Sequence, residues 1–291
     1  MCYFPLKYVP IGVIVTCEVK TLSESIRAVD RALDVLLCFT RQVPELYMTQ
    51  IAEQIGVHKS TVHRLLGTLE KKRFVERDPV TGAYRLGVRL LQMAYLTLEQ
   101  NDLRRTAAPF LRRLWEQHKE TIHLAVLDDV DVVFLDVIES QQRVKLAAAI
   151  GQRLPAFATA SGKAILARMP DESVRHILKR GMPRYTQRTP DSPKAFFEDL
   201  GRVREWGFAL DEQELEEGIS AVAAPILDPT GQPIAAVAIA GPAYRLARER
   251  LLEIGPSILT TVRDIAQEIE MAADPQIHPS EDAPADAEAG M

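Results

Sequence analysis

Between Ser25 and Leu37 the apolar residues Ile26, Val29, Ala32, Leu33, Leu36 and Leu37 return every three or four positions. That spacing predicts an amphipathic helix with Ser23 or Ser25 as its cap. A second short helix is predicted in MTQIAEQIGV, with Thr49 as N-cap, Ile51, Ala52 and Ile55 facing inward, and Gly56 closing it in a turn. HKSTVHRLLGTLEKK follows at once as a third. At about 100° per residue, Val62, Leu65, Leu66 and Leu69 form one stripe and Ser60, Arg64, Gly67 and Lys71 lie opposite, flanked by His63 and Thr68. In FVERDPVTGAYRLG the period changes, predicting two short strands around the turn formers Asp78, Pro79 and Gly82.

Residues 88–102 and 103–119 predict two helices meeting near Asn101 and Asp102. The first contains VRLLQMAYLTL, more apolar surface than one domain covers, so it is expected as a linker helix shared with a partner chain. Beyond Thr121 the pattern turns to strands: IHLAVLDD, DVVFLDVIE, RVKLAAAI, ISAVAAPILD and PIAAVAIAG. Helical stretches are expected at 160–169, 171–180, 193–206 and 244–271. LDDVDVVFL and LDPTGQPIAAV carry hairpin signals, which makes neighbouring strands antiparallel and the class α+β.

A length of 291 residues suits two domains. Hydrophobic content of 47% with 26% charged residues excludes a collagenous or wholly disordered chain. Cys2, Cys17 and Cys38 have no metal-ligand spacing and no even count, which fits a reducing compartment and a cytoplasmic protein. The apolar run Val9–Val15 is broken by Pro10 and Gly12 and is shorter than the roughly 20 residues of a membrane span. Residues 1–24 are therefore expected as a flexible extension, with no membrane partner. Residues 273–291 carry acids, prolines and alanines without Lys or Arg, and are expected as a disordered acidic tail.

The net charge of −5 argues against general polyanion binding, yet the charge is uneven. Gly56–Arg77 holds Lys59, Arg64, Lys71, Lys72, Arg73 and Arg77 against Glu70 and Glu76. Outward groups on the third helix are small, hydrogen-bonding or cationic, as a helix entering a DNA groove requires. Arg64 is the best base contact. Ser60 and Thr61 share the first turn with free backbone N–H groups that suit a phosphate, while Lys59, His63, Thr68 and Lys71 complete the surface. Arg77 and Arg85 offer wing contacts. The polar face alone describes any surface helix, but the Gly turn before it and the basic hairpin after it point to a winged helix-turn-helix. His58 and His63 lack Cys or carboxylate partners at ligand spacing, so no metal is expected there.

IRAVDRALDVLLCF and IAEQIGVHKSTVHRLLGTLEKKRFVERDPVTGAYRLG resemble, across Ser25–Leu91, the DNA-binding domain of the isocitrate lyase regulator (IclR) family of bacterial transcription factors. GQRLPAFATASGKAILA and DEQELEEGISAVAAPILD resemble its effector-binding domain, within 103–271. The family often has Ser or Pro where His58 stands. The resemblance implies a winged helix-turn-helix domain (25–87), a linker helix (88–102) and a GAF-like effector-binding domain with a mainly antiparallel sheet (103–272). The expected partners are a palindromic double-stranded DNA operator, a small-molecule effector and a second copy of the chain, as a homodimer or tetramer. No cofactor is expected.

After the Pro155 turn a helix is predicted to begin near Thr159, leaving the N–H groups of Ala160, Ser161 and Gly162 free to attract a carboxylate. Gly162 also allows a close backbone approach. A phosphate-binding loop at SGK is excluded, because Phe157 and Ala164 stand where glycine and a hydroxyl are required. The acidic run Asp211, Glu212, Glu214, Glu216 and Glu217 reads by itself as a solvated loop. The resemblance implies instead that Asp211 edges the effector pocket, with Leu154, Ala158, Ile219, Ala221, Ala238 and Ala240 lining it. Members that bind small keto acids tend to carry Cys and Ser at the positions of Ala221, Ala238 and Ala240. Methyl groups there favour an aromatic or medium-chain carboxylate over glyoxylate or pyruvate. Ser161 and Ser220 have no His nearby in sequence, so no catalysis is expected. The rival readings are a small-molecule enzyme or carrier whose N-terminal helices only dimerise, and an architectural DNA binder without a ligand.

Overall fold

A computed structural model describes residues 25–40 and 42–273. The expected N-terminal extension with Cys2 and Cys17, and the acidic stretch beyond Ala273, lie outside the described residues. The described chain divides between Asn101 and Asp102 into two compact units.

The first unit runs α1 (Arg27–Leu37), β1 (Glu45–Leu46), α2 (Met48–Gln54), α3 (Lys59–Lys71), β2 (Val75–Arg77), β3 (Tyr84–Leu86) and α4 (Val88–Glu99). Its core joins Val35 and Phe39 to Leu46, Ile51, Val62, Leu66, Leu69, Val75 and Tyr84. Two expected caps fall elsewhere. Ile26 is the N-cap of α1, while the Ser25 hydroxyl bonds to Asp30. Tyr47, not Thr49, caps α2, because Gln50 Oε1 reaches back to accept its N–H at 2.8 Å. Gly56 ends α2 at φ 64°, the left-handed turn that separates it from α3. β1, β3 and β2 form an antiparallel sheet in that order.

The apolar stripe of α1 is not spent on this core. Val35 is buried, whereas Ile26, Val29, Leu33 and Leu37 are exposed. α4 has no buried residue, and Val88, Leu91, Tyr95 and Leu96 are exposed along it.

The second unit runs α5 (Asp102–His118), β4 (Thr121–Asp128), β5 (Asp131–Ile138), β6 (Arg153–Pro155), a 3-10 turn (Ala156–Ala158), α6 (Ala160–Leu166), α7 (Asp171–Leu178), α8 (Pro193–Trp206), β7 (Ala209–Glu212), β8 (Ile219–Leu227), β9 (Pro233–Pro242) and α9 (Arg248–Ala273). The strands form one antiparallel sheet in the order β6-β5-β4-β9-β8-β7. Side chains alternate between its faces. Ile122, Leu124, Val222, Val237 and Ile239 pack with Leu111, Leu114, Ile254 and Ile258 of α5 and α9. Ala125, Ala221, Ala223, Ala236, Ala238 and Ala240 face the layer of α6, α7 and α8. β8 and β9 thus give large residues to one face and methyl groups to the other, which lets α6 approach closely.

The expected strand at RVKLAAAI is absent. Phe134 on the outer side of β5 exchanges backbone bonds with Gly151 and Gln152, and β6 continues that edge along Asp131–Val133, so the chain joins the sheet after residues 143–150, which pair with no strand. The acidic run is a solvated loop only in part, at the exposed Glu216 and Glu217. Asp211 and Glu212 end β7, and Asp211 and Glu214 are 6% and 8% exposed.

Candidate functional site

In the first unit, burial of Val62, Leu66 and Leu69 holds α3 by one side, each side chain stabilising the fold by about 1.5–3 kcal/mol. The helix start is fixed by His58, whose Nδ1 accepts the N–H of Ser60 at 3.3 Å and lies 2.8 Å from the Ser60 hydroxyl. Opposite the core, Lys59, Ser60, His63, Arg64, Gly67, Thr68 and Lys71 are exposed, while Thr61 is half-buried. The Thr68 hydroxyl donates back to the Arg64 carbonyl at 2.9 Å. Among the described residues no ion pair or hydrogen bond engages the side chains of Lys59, Arg64 or Lys71. Each cation therefore projects, unpaired among the described residues, from a helix that is anchored on its other side.

The hairpin between β2 and β3 is built on Asp78, whose Oδ1 accepts the N–H groups of Val80 and Thr81 at 2.8 and 2.7 Å. These bonds hold its carboxyl below the usual range. Arg77 and Arg85, the expected wing contacts, differ. Arg77 leans over the Tyr84 ring at 5.8 Å and donates to the Gly82 carbonyl. Arg85 stands in register with both Glu45 and Glu76 and pairs with Glu76 at 3.2 Å, which offsets its charge.

In the second unit, a cavity with about 640 Å³ of empty volume, part of it open to solvent, lies between the methyl face of the sheet and the start of α6. Thr159, the N-cap of α6, accepts the N–H of Gly162 on its hydroxyl at 3.2 Å. Gly162 is therefore already satisfied, and it faces the preceding chain: a Cβ there would stand 2.0 Å from the Ala156 carbonyl oxygen. Its glycine serves packing rather than ligand contact.

Of the residues expected at the pocket, Leu154, Thr159, Ala160, Ser161, Asp211, Ile219, Ala221 and Ala240 line the cavity. Gly162, Ala158 and Ala238 do not. Ala158 and Ala238 are fully buried in the core, Ala238 in register with His123. Sequence reasoning missed His123, Phe134, Leu146, Ala147, Ala148, Gln152, Leu215 and Glu216. The parity of β4 could have revealed His123, which shares a face with Ala125. The misread segment 143–150 supplies the wall at Leu146–Ala148.

His123 Nε2 lies 3.0 Å from the Ser161 hydroxyl, and its ring stacks on Phe134 with centroids 4.1 Å apart. Burial pushes His123 down to about 4, so the imidazole is neutral near pH 7. Among the described residues its Nδ1 meets no partner. Ser161 thus has a histidine beside it in space, where sequence distance had offered none. Lys163, also on α6, is fully buried, with Nζ 2.5 Å from Glu214 Oε1 and 2.8 Å from Asp199 Oδ2. Burial opposes its charge, but the two carboxylates outweigh it and hold the ammonium above its ordinary range. The segment after β7 is clamped from a second side, where Thr186 and Thr189 donate to the carbonyls of Gln213 and Glu214. Asp211 Oδ1 accepts the Glu214 N–H at 2.8 Å. Burial and the Glu214 carboxylate push Asp211 up to about 7, against the pull of Lys163.

Among the described residues, no helix is long and apolar enough to cross a membrane. A family model described as bacterial transcriptional regulator IclR C-terminal matches residues 95–270, and one described as IclR helix-turn-helix domain matches residues 28–79. The chain is 31% identical over 243 residues to the transcriptional repressor IclR of Escherichia coli (strain K12), covering 82% of this chain and 89% of that protein. It is 35% identical over 217 residues to the regulator XynR of the same strain, covering 74% of this chain and 85% of that one. The crystal structure of Thermotoga maritima IclR matches with a TM-score of 0.67 at 27% identity, covering 84% of this chain and 99% of that one. An IclR homolog from Microbacterium hydrocarbonoxydans, complexed with 4-hydroxybenzoate, matches with a TM-score of 0.71 at 26% identity over the same shares. The chain belongs to the IclR family of bacterial transcriptional regulators, DNA-binding proteins with a helix-turn-helix domain and a C-terminal effector domain, and is a regulator rather than an enzyme.

Proposed function

We propose that the exposed face of α3 reads a palindromic operator in the cytoplasm as part of a homodimer, with a winged domain at 25–87, a linker at 88–102 and an effector domain at 103–272. The single observation that carries the DNA contact is the Arg64 side chain, outward and unpaired among the described residues on a helix anchored by buried Val62 and Leu66. Lys59, Ser60, Thr61, His63, Thr68 and Lys71 complete that surface, and Arg77 adds a wing contact to the backbone. Arg85 contributes less, because Glu76 already holds it. A second copy of the chain is the natural cover for the apolar residues that α1 and α4 leave exposed.

The cavity of the second unit binds a small organic acid with an apolar or aromatic body. Phe134, Leu146, Ala221 and Ala240 offer apolar walls, while Ser161 and His123 supply polar groups. A relative complexed with 4-hydroxybenzoate supports this class over a two- or three-carbon keto acid. Such a ligand alters DNA affinity only by preferring one arrangement of the protein over another, and α4 leads in sequence from one unit to the next. Footprinting on the DNA upstream of the gene, with and without 4-hydroxybenzoate, tests both halves. A protected palindrome whose occupancy responds to the acid is expected; protection indifferent to every aromatic or medium-chain acid tried overturns the effector half.

A further inference from the structure

We propose that Asp211 meets the ligand as an acid, donating a hydrogen bond from a protonated carboxyl, so that each organic anion enters the cavity together with one proton. This rests on the organic-acid reading above. Asp211 stands at the end of β7, almost fully buried, and lines the cavity together with Ser161 and His123. Its carboxyl accepts the N–H groups of Glu214, at Oδ1, and of Gln213; a protonated carboxyl can keep these acceptor contacts while offering one O–H to a ligand.

Charge around it is one-sided. From α6 comes Lys163, whose ammonium is spent on Glu214 and Asp199. From the segment after β7 come Glu214 and Glu216, and from β4 the neutral His123. Glu212 is paired away with Arg248. β8 and β9 present Ala221 and Ala240, which carry no charge. Among the described residues lining the cavity there is no Lys or Arg. A carboxylate arriving here faces another carboxylate with no cation between them. One shared proton turns that repulsion into a hydrogen bond, as in any closely spaced pair of carboxyl groups.

Asp211 is already pushed up to about 7, and a second anion beside it raises it further. The proton comes from solvent, and the only covalent bond formed is O–H. His123 is a poor alternative seat, since burial pushes it down to about 4 and its Nε2 is engaged with Ser161.

Calorimetry on the full chain with 4-hydroxybenzoate and benzoate, in phosphate and in Tris at about pH 8, reads the proton directly. Heats that differ between the buffers by about 0.5 to 1 proton per site are expected, with affinity falling about tenfold per pH unit above neutrality. Asp211→Asn keeps an acceptor for the Glu214 N–H and gains a permanent donor, so its heats match in the two buffers and its affinity is flat with pH. Equal heats and flat affinity in the unsubstituted chain overturn the inference while leaving the organic-acid pocket intact. So does proton uptake that survives Asp211→Asn and is lost in His123→Gln. If neither acid binds at any pH, the organic-acid reading fails first and takes this inference with it.

Discussion

His123 on β4 and Ser161 on α6, 38 residues apart in sequence, meet at 3.0 Å at the pocket wall. Distance alone would suit a nucleophile and its base. The rest of the geometry does not, because no carboxylate among the described residues orients His123 through Nδ1. Stacked on Phe134 and buried, the ring is a fixed neutral hydrogen-bonding group instead.

That burial sets a pH dependence. The folded His123 titrates near 4, below the value of about 6.5 in an unfolded chain, so the unfolded state binds the extra proton between these limits. Stability is present above about pH 6.5 and is lost as pH falls through that window to about 4. Denaturant titrations should show a smaller acid loss in His123→Gln than in the unsubstituted protein; equal losses would mean that His123 is solvated.

Asp211 bends the curve the other way. Its folded value of about 7 lies above the roughly 3.9 of an unfolded carboxyl, so the folded state holds the extra proton and stability declines as pH rises from about 4 to 7. Asp211→Asn removes that decline. Its stability relative to the unsubstituted chain should therefore grow between about pH 5 and pH 8, read as the difference in melting temperature at the two ends. A constant difference would place Asp211 in solvent contact.

Lys163→Met tests the buried clamp. Glu214 and Asp199 would lose the cation they share, and removing one partner of a buried ion pair costs about 3–5 kcal/mol. A melting temperature lower by roughly 6–20 °C is expected from calorimetric scans of a unit this size. A fall of no more than a degree or two would mean that solvent reaches the cluster.

What was legible in the sequence was local. Helix α3 and its wing could be read because Val62, Leu66, Leu69 and the Asp78–Gly82 turn declare themselves within a few residues. β8 and β9 were equally plain, as long apolar runs flanking a turn. β1 is two residues long and exists only because Leu46 pairs with Tyr84, a partner far down the chain. β7 was hidden in an acidic run whose burial depends on Lys163 arriving from α6. RVKLAAAI has strand composition, yet composition does not show that Gly151, Gln152 and β6 take the place beside Asp131–Phe134 instead. The pocket was half legible for the same reason. The α6 motif and Asp211 lie in recognisable stretches, whereas His123 and Phe134 join them only through the β4–β5 pairing.

The most direct test is quantitative footprinting of Arg64→Ala beside the unsubstituted chain on its own upstream DNA, across about 50 to 200 mM salt. If α3 reads the groove, both proteins lose affinity steeply with salt and Arg64→Ala is weaker on the specific site by about 1–3 kcal/mol, with relaxed specificity where the arginine reads a base. An Arg64→Ala protein that protects the same site at the same concentration would show that another surface of the chain holds the DNA.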